Sequence, residues 1–339
     1  MFADNVLIGL DIGSSSIKMV EIKHGKNGCE LLTFGIAQHN INLNGYWDSV
    51  KLRQLSIIIE EIMRANSFSG VRTVMSVMSQ HVYVTTMDFE AAWNKGKIQG
   101  EIERQAPYFL PYPPDEMRLS WRPIPIDDDI KEYTNKQRVG IKAIPDFVFD
   151  NSKNLLEHIN LDGIVLEIQT ESQIRALIPG DTGNTVLVDI GSTQTTFSIV
   201  IDGILRSSSH IPIGTQQITK NLGEALGIDD ITAENFKKDL HLINLFQLPK
   251  PANDFLKILR TELNSFVEIN KKIGQPPAKI ILTGGGVLTA GLNEYFQHYE
   301  IKTYFGNPLK GLIVHGEFLP LITPIGNQFS TAIGMAIWS

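Results

Sequence analysis

Residues 10–15 read Leu-Asp-Ile-Gly-Ser-Ser, and residues 188–193 read Val-Asp-Ile-Gly-Ser-Thr. Each stretch follows a short apolar run, Val6 to Leu10 in the first case and Thr185 to Val188 in the second. Each leads into a second run of strand character, a turn and a third run. In the first copy Val20 and Ile22 alternate with Glu21 and Lys23, and the chain turns at Gly25-Lys26-Asn27-Gly28. In the second, Phe197 to Ile201 leads into Asp202-Gly203. That pair is a strong hairpin signal, because Asp and Gly tolerate the positive φ of a tight two-residue turn. Two copies of strand, turn, strand, hairpin, strand predict two related α/β halves. They are too few for a solenoid.

The bulk composition agrees. A chain of 339 residues, 42% hydrophobic and 20% charged, is too long for one compact core and suits two globular domains. With 30 Lys plus Arg against 37 Asp plus Glu the net charge is -7, which argues against nucleic acid as a partner and against adhesion to an anionic membrane. Cys29 is the sole cysteine, so no disulfide forms within the chain. Its apolar neighbours suggest packing and a reducing compartment. The start, MFADNVLIGLDIG, lacks the basic leader and apolar length of a signal peptide. No apolar run approaches the roughly 20 residues that span a bilayer. These features predict no direct membrane insertion, so placement at a membrane requires a protein partner.

Helical spacing appears between the meanders. Leu52, Leu55, Ile58, Ile59 and Ile62 share one face. Ile218 and Leu222 do the same after Gly214, with Gly227 placed to end that helix. Residues 251–273 predict a longer helix carrying Phe255, Ile258, Leu259, Phe266 and Ile269, and a short one carries Phe329, Ile333 and Ile337. Between about 68 and 126 the texture changes. Val71 to Val77 and His81 to Met87 read as strands of a small sheet, and Ile98 to Ala106 as a helix. Pro107-Tyr-Phe-Leu-Pro-Tyr-Pro-Pro114 reads as a break that no helix contains. Asp127 through Gln137 reads as a polar surface loop. Together these predict a small subdomain inserted over 45–145.

The chemistry concentrates in four places. In Asp11-Ile-Gly-Ser-Ser-Ser-Ile-Lys18 a glycine after a buried strand permits a sharp turn and close backbone approach. The hydroxyls and amides of Gly13, Ser14, Ser15 and Ser16 suit phosphate oxygens, and Lys18 adds positive charge. Asp11 suits a hydrated Mg2+, which favours one or two carboxylates plus phosphate oxygens. Alone, this stretch also reads as a plain hairpin corner. The second copy, Asp189 with Gly191, Ser192, Thr193, Gln194 and Thr195, repeats the chemistry. Facing loops would clamp a polyphosphate with the metal between Asp11 and Asp189. The third place is Lys279 to Val287, whose Gly284, Gly285 and Gly286 suit a flat ring lying against the backbone, with a helix starting there. The fourth is Glu234, Lys237 and Lys238, which share a helix face and suit ribose hydroxyls and a base edge. Neither GxxxxGK[ST] nor a post-strand GxGxxG occurs. His24, His39, His81, His158, His210, His241, His298 and His315 are scattered without metal-ligand spacing and read as surface or core residues.

Taken in order, these elements resemble the actin/Hsp70 superfamily. Its [LIVM]-D-[IVL]-G pattern is matched at 10–13 and 188–191, and its Gly-Gly pair at Gly284-Gly285. Ala233-Glu-x-x-Lys237 resembles the nucleoside contact of DnaK-type chaperones and FtsA. Within the superfamily, Glu101 to Pro111, followed by Asp115 and Glu116, is similar to the E-x-x-x-Y-I-P-F stretch of the PilM family of the type IV pilus machine. Gly214-Thr215-Gln-Gln-Ile-Thr219 is similar to that family's segment entering the second domain. Where that family usually carries Glu-Pro, this chain has Gln169-Thr170.

The resemblance implies an actin-like, ribonuclease H-like duplicated fold. Its first domain spans 1–44 and 146–182, with an FtsA-type, SHS2-like insert at 45–145. Its second spans 183–226 and 278–339, with a helical subdomain at 227–277. It also implies ATP or ADP with Mg2+, and a site including Gly214 and Val287. The expected role is a scaffold at the cytoplasmic face of the inner membrane that recruits the N-terminal tail of a PilN-like protein. A PilO-type complex would be reached indirectly, and self-association is possible. Tyr108, Phe109 and Tyr112 are expected beside the tail. Gln169, Glu171 and Gln194 are the candidates for orienting water, so hydrolysis is expected to be slow. An FtsA-like polymerising protein is the alternative, disfavoured by the absence of an amphipathic C-terminal helix. A small-molecule kinase lacks a candidate base beside an acceptor pocket.

Overall fold

The computed structural model describes residues 5–125, 135–239, 249–271, 276–289, 291–297 and 299–338. Strands β1 (Val6–Ile12), β2 (Ser16–Gly25) and β3 (Gly28–Gln38) form an antiparallel meander that sets Asp11 opposite Lys18. Helix α1 (Ser49–Ala65) starts where the Asp48 carboxylate accepts the Lys51 N–H at 2.8 Å, the usual way to satisfy a first-turn donor. It buries Leu55, Ile59 and Ile62 on the meander. Strand β4 (Arg72–Val77) then runs parallel to β1. Next come β5 (Tyr83–Glu90), α2 (Lys95–Phe109), β6 (Met117–Ile124), β7 (Lys136–Pro145) and α3 (Asp146–His158). β8 (Asp162–Ile168) returns parallel to β4, and α4 (Gln169–Leu177) leaves the sheet.

The second half repeats the pattern with β9 (Asn184–Ile190), β10 (Thr195–Ile201) and β11 (Ile204–Ile211), turning at Asp202 and Gly203, both at positive φ. Helices α5 (Gln216–Leu226), α6 (Asp230–Asp239) and α7 (Lys250–Lys271) follow, then β12 (Lys279–Thr283), α8 (Leu292–Gln297) and β13 (Thr303–Phe305). Gly227 closes α5 in the left-handed conformation, as its glycine predicts. The chain finishes through β14 (Leu312–Ile313), α9 (Leu319–Ile322) and α10 (Ser330–Ala336). The sheet orders are β14-β3-β2-β1-β4-β8 and β11-β10-β9-β12-β13. Without β14, both sheets place their third, second and first strands in a row and add two parallel strands beside the first. The duplicated architecture expected from the sequence is present.

Several elements lie elsewhere than expected. β4 belongs to the first large sheet and α1 packs on that sheet, so neither is part of the insert. Val74, Met75 and Val77 are buried as befits a central strand, and β4 sits between β1 and β8. The small sheet is β5-β7-β6, closed by α2 over Phe89, Ile98, Ile102, Val139 and Ile141. Its strand β7 takes in Gln137, while residues 127–134 of the expected polar loop lie outside the described residues. Helix α2 runs through Pro107 to Phe109. Pro107 and Glu103 are exposed, so water can take the Glu103 carbonyl that the proline leaves unpaired. On α7, Leu256, Leu263 and Val267 join Phe255 and Leu259 in the core, whereas Ile258 and Ile269 face solvent.

Residues 312–338 do not complete the second half. β14 pairs with β3, and Phe329, Ala332, Ile333 and Ala336 pack on Val20, Ile22 and Leu31 of the first sheet. Two glycines permit this approach. A Cβ on Gly9 would collide with the Ala332 carbonyl, and one on Gly334 with the Ser172 backbone. α10 is thereby wedged against both β1 and α4.

Candidate nucleotide site

The β1–β2 and β9–β10 turns are tightened alike. The Gly13 N–H donates to the Ser16 carbonyl at 3.0 Å, and the Gly191 N–H to the Gln194 carbonyl at 2.9 Å. The turns meet tip to tip, with Thr193 Oγ1 donating to Ser14 Oγ at 2.9 Å. Beneath them lies a cavity of about 1260 Å³ between the two sheets. Asp11, Lys18, Asp189, Gln194, Gly214 and Gly285 all line it, as do Gly13 to Ser16 and Gly191 to Thr193.

The aspartates are held from one helix. Gln169 Nε2 donates to Asp11 Oδ1 at 3.0 Å, and Gln173 Nε2, one turn along α4, donates to Asp189 Oδ2 at 2.8 Å. The Ser79 N–H donates to Gln169 Oε1 at 3.1 Å, which fixes the direction of that amide. Gln173 also donates to Thr331 Oγ1 at 3.0 Å. Asp11 accepts from Ser76 Oγ at 2.9 Å and faces Lys18 Nζ at 3.9 Å. Burial pushes the Asp189 carboxyl above the ordinary carboxylate range. The Gln173 hydrogen bond opposes this, the Asp11 charge adds to it and the Lys18 charge opposes it. Two carboxylates beside a hydroxyl- and amide-rich cavity match the donor set that Mg2+ takes together with phosphate oxygens.

The three glycines after β12 differ in purpose. Gly284, at φ 88°, could not carry a side chain without striking Asp189 Oδ1, and a Cβ on Gly286 would strike Ile190. These two allow β12 to pack against β9. Gly285 has room: a Cβ there would stand in the cavity, 3.7 Å from Gln328 Cγ. Residues 285–288 make a 3-10 turn where an α-helix was expected, and α8 begins only at Leu292. On the opposite wall Lys237 Nζ pairs with Glu234 at 2.6 Å and donates to Thr219 Oγ1 at 2.9 Å. Asn235 and Ile231 line the same wall.

Residues 9–339 match the family described as type IV pilus assembly protein PilM. The chain belongs to the PilM family. Its fold is similar to that of a solved PilM-PilN type IV pilus biogenesis complex, with TM-score 0.83 at 18% identity, covering 98% of this chain and 97% of that one. It is also similar to the ethanolamine utilization protein EutJ from Carboxydothermus hydrogenoformans, with TM-score 0.60 at 12% identity over 100% and 91% of the two chains. A third similar structure is MreB 5 of Spiroplasma citri bound to AMPPNP, with TM-score 0.50 at 12% identity over 98% and 95%. This PilM-family chain therefore has the actin-like ATPase fold. Among its described residues no helix is long and apolar enough to cross a membrane.

Some residues expected at the site of this PilM-family chain lie outside it. Val287 is buried in the core of the second half. Thr195 is fully buried with its hydroxyl donated to the Ile213 carbonyl at 2.8 Å, and Thr196 lines the cavity instead. Glu171 leaves α4 on the side away from the cavity, where it pairs with Lys142 and, at 3.4 Å, Arg122 of the insert. The side chain of Lys238 lies outside the described residues. Ser76, Gln173, Gln328 and Thr331 are site residues that sequence reasoning missed, and His39 lines the cavity although it reads as a filler residue. Gln173 had a usable signal, since it repeats Gln169 at helical spacing. Among the described residues no group of three or more His, Cys, Asp or Glu side chains is placed to hold a metal ion, while His241 and His298 lie outside them.

A second cavity, of about 860 Å³, lies between the insert and the first sheet. Its walls include edge strands of both sheets, β6 and β8. Ile164, Val165 and Leu166 are half-buried there, with Arg118 and Lys142 also lining it. Tyr108, Phe109 and Tyr112 do not. Phe109 stacks on Tyr83 with ring centroids 5.6 Å apart, and Tyr108 projects into solvent.

Proposed function

We propose that this type IV pilus assembly protein binds ATP or ADP with Mg2+ between its two sheets, and that the closed form receives the cytoplasmic tail of a PilN-like membrane protein. One observation carries the nucleotide reading: Asp11 and Asp189 converge from equivalent strands on a cavity roofed by two hydroxyl-bearing turns that touch through Thr193 and Ser14. The amides and hydroxyls would hold the phosphates, Lys18 would add positive charge, and the two carboxylates would hold the magnesium. Gly285 would lie against the base, with Glu234 and Lys237 at the ribose.

Hydrolysis would be slow. Glu171 is occupied outside the cavity, and Gln169 and Gln194 cannot take a proton. We expect turnover below about one per second.

The tail would lie in the second cavity, where an extended segment can pair with the open edge of β6 or β8 and seat alternate side chains in the apolar lining. Attachment to the inner membrane, and to PilO-type proteins beyond it, would follow from that contact. Calorimetry with ATP, with and without Mg2+, tests the first half of the reading. Titration of a fluorescent PilN-tail peptide into wild-type protein and a Val165→Pro variant tests the second. The substituted proline would disrupt pairing along β8, and undiminished peptide binding would remove β8 as the edge the tail pairs with.

A further inference from the structure

We propose that His39 is a positioning residue of the nucleotide site, holding the Gly13 carbonyl back so that the amides of the first turn face the phosphates. The inference rests on the nucleotide reading above.

The imidazole bridges two backbone groups. The Ile41 N–H donates to Nδ1 at 3.2 Å, so Nδ1 carries no proton. The proton of the neutral ring therefore sits on Nε2, which lies 2.9 Å from the Gly13 carbonyl oxygen and donates to it. The His39 backbone N–H also donates to the Ser15 carbonyl at 2.9 Å. Two carbonyls of the first turn are thus held by one residue just beyond β3.

The duplicated half shows what this arrangement accomplishes. There the segment beyond β11 approaches the second turn directly. The Thr215 N–H donates to the Gly191 carbonyl at 3.1 Å, and the Gln216 N–H to the Ser192 carbonyl at 2.8 Å. That approach needs Gly214, because a Cβ there would collide with the Ser192 backbone. The glycine of each Asp-Ile-Gly-Ser motif consequently has its carbonyl bound from the segment after the third strand. The second half uses a backbone donor brought close by a glycine, and the first uses an imidazole that reaches across. A carbonyl free to swing toward the cavity would set a negative dipole against a polyphosphate. Held away, it leaves the peptide N–H groups facing the anion.

The surroundings favour the neutral ring. Burial lowers the His39 pKa, the Gly13 carbonyl opposes this, and the Lys18 charge lowers it further. Protonation at Nδ1 would also set two donors, the ring and the Ile41 N–H, against each other.

The test uses the full chain. Nitrogen-15 NMR of the wild type without nucleotide should show His39 as the neutral Nε2–H tautomer at neutral pH, and an Nδ1–H tautomer or an imidazolium would overturn the proposal. Calorimetry with Mg2+ should show His39→Phe, which keeps the ring but loses the donor, binding ATP and ADP about tenfold more weakly. Adenosine affinity should change less than about twofold. His39→Gln, whose amide restores a donor, should recover most of the loss. Equal ATP affinity in wild type and His39→Phe, or an equal loss for adenosine, would overturn it. Failure of the wild type to bind ATP at all would remove the nucleotide reading, and this inference with it, whatever the tautomer.

Discussion

Asp11 and Asp189 end equivalent strands of sheets with the same order, yet they are held differently. Asp11 accepts hydrogen bonds from Ser76 and Gln169 and faces Lys18. Asp189 accepts from Gln173, and burial pushes its carboxyl toward the protonated form. The first half offers an anchor that is already balanced. The second offers a carboxylate whose charge burial makes costly. A duplicated motif has thus become asymmetric in how its two carboxylates are held.

The largest expected effect breaks the helix pair that holds both aspartates. Gly334→Val drives a side chain into the Ser172 backbone and should cost about 3 kcal/mol or more of stability, read by urea denaturation. Next, Asp11→Ala should weaken ATP binding at least about tenfold, roughly 1.4 kcal/mol. Gly285→Val should do as much by filling the cavity, while leaving stability within about 0.5 kcal/mol, because its Cβ makes only an ordinary van der Waals contact, 3.7 Å from Gln328 Cγ. Calorimetry paired with melting curves separates these two losses.

Asp189→Asn sharpens the comparison through pH. A carboxyl whose folded pKa is raised binds its proton more readily in the native state. Nucleotide-free stability therefore falls as pH rises from the unfolded pKa through the folded one, and the full penalty stands above it. The asparagine variant should be more stable than wild type at neutral pH, equal to it below the unfolded carboxylate pKa, and less dependent on Mg2+ than wild type in binding ATP. Smallest of all, Glu171→Gln loosens the pairs with Lys142 and Arg122. It should cost under about 1 kcal/mol and leave ATP affinity and turnover unchanged. A marked fall in turnover would return Glu171 to the catalytic candidates.

Much of this was legible in the residues. The two Asp-Ile-Gly-Ser stretches locate the turns, and Asp202-Gly203 and Gly227 end elements where their backbone freedom is needed. What failed depends on side-chain direction or distant contact. Thr195 and Thr196 differ by one position along a strand, and the pleat alone sends one into the core and the other to the cavity. Val71 to Val77 reads as a strand from its own residues. Nothing local says that it pairs with β1 rather than β5. Thr331 enters the site because α10 crosses to the first half, a contact no local pattern announces.

That crossing sets an order of assembly. His24 Nε2 lies 2.8 Å from the Ala336 carbonyl, 312 residues away in sequence, and the meander is covered by Ala332 and Ile333. On a ribosome, the strands of the first half are made early, but the face bearing Val20, Ile22 and Leu31 stays open until α10 emerges, whereas β9 to β13 and their helices can close among themselves sooner. Thr331 and Gln328 arrive with the same segment, so the cavity between the sheets is complete only once the first half has been closed.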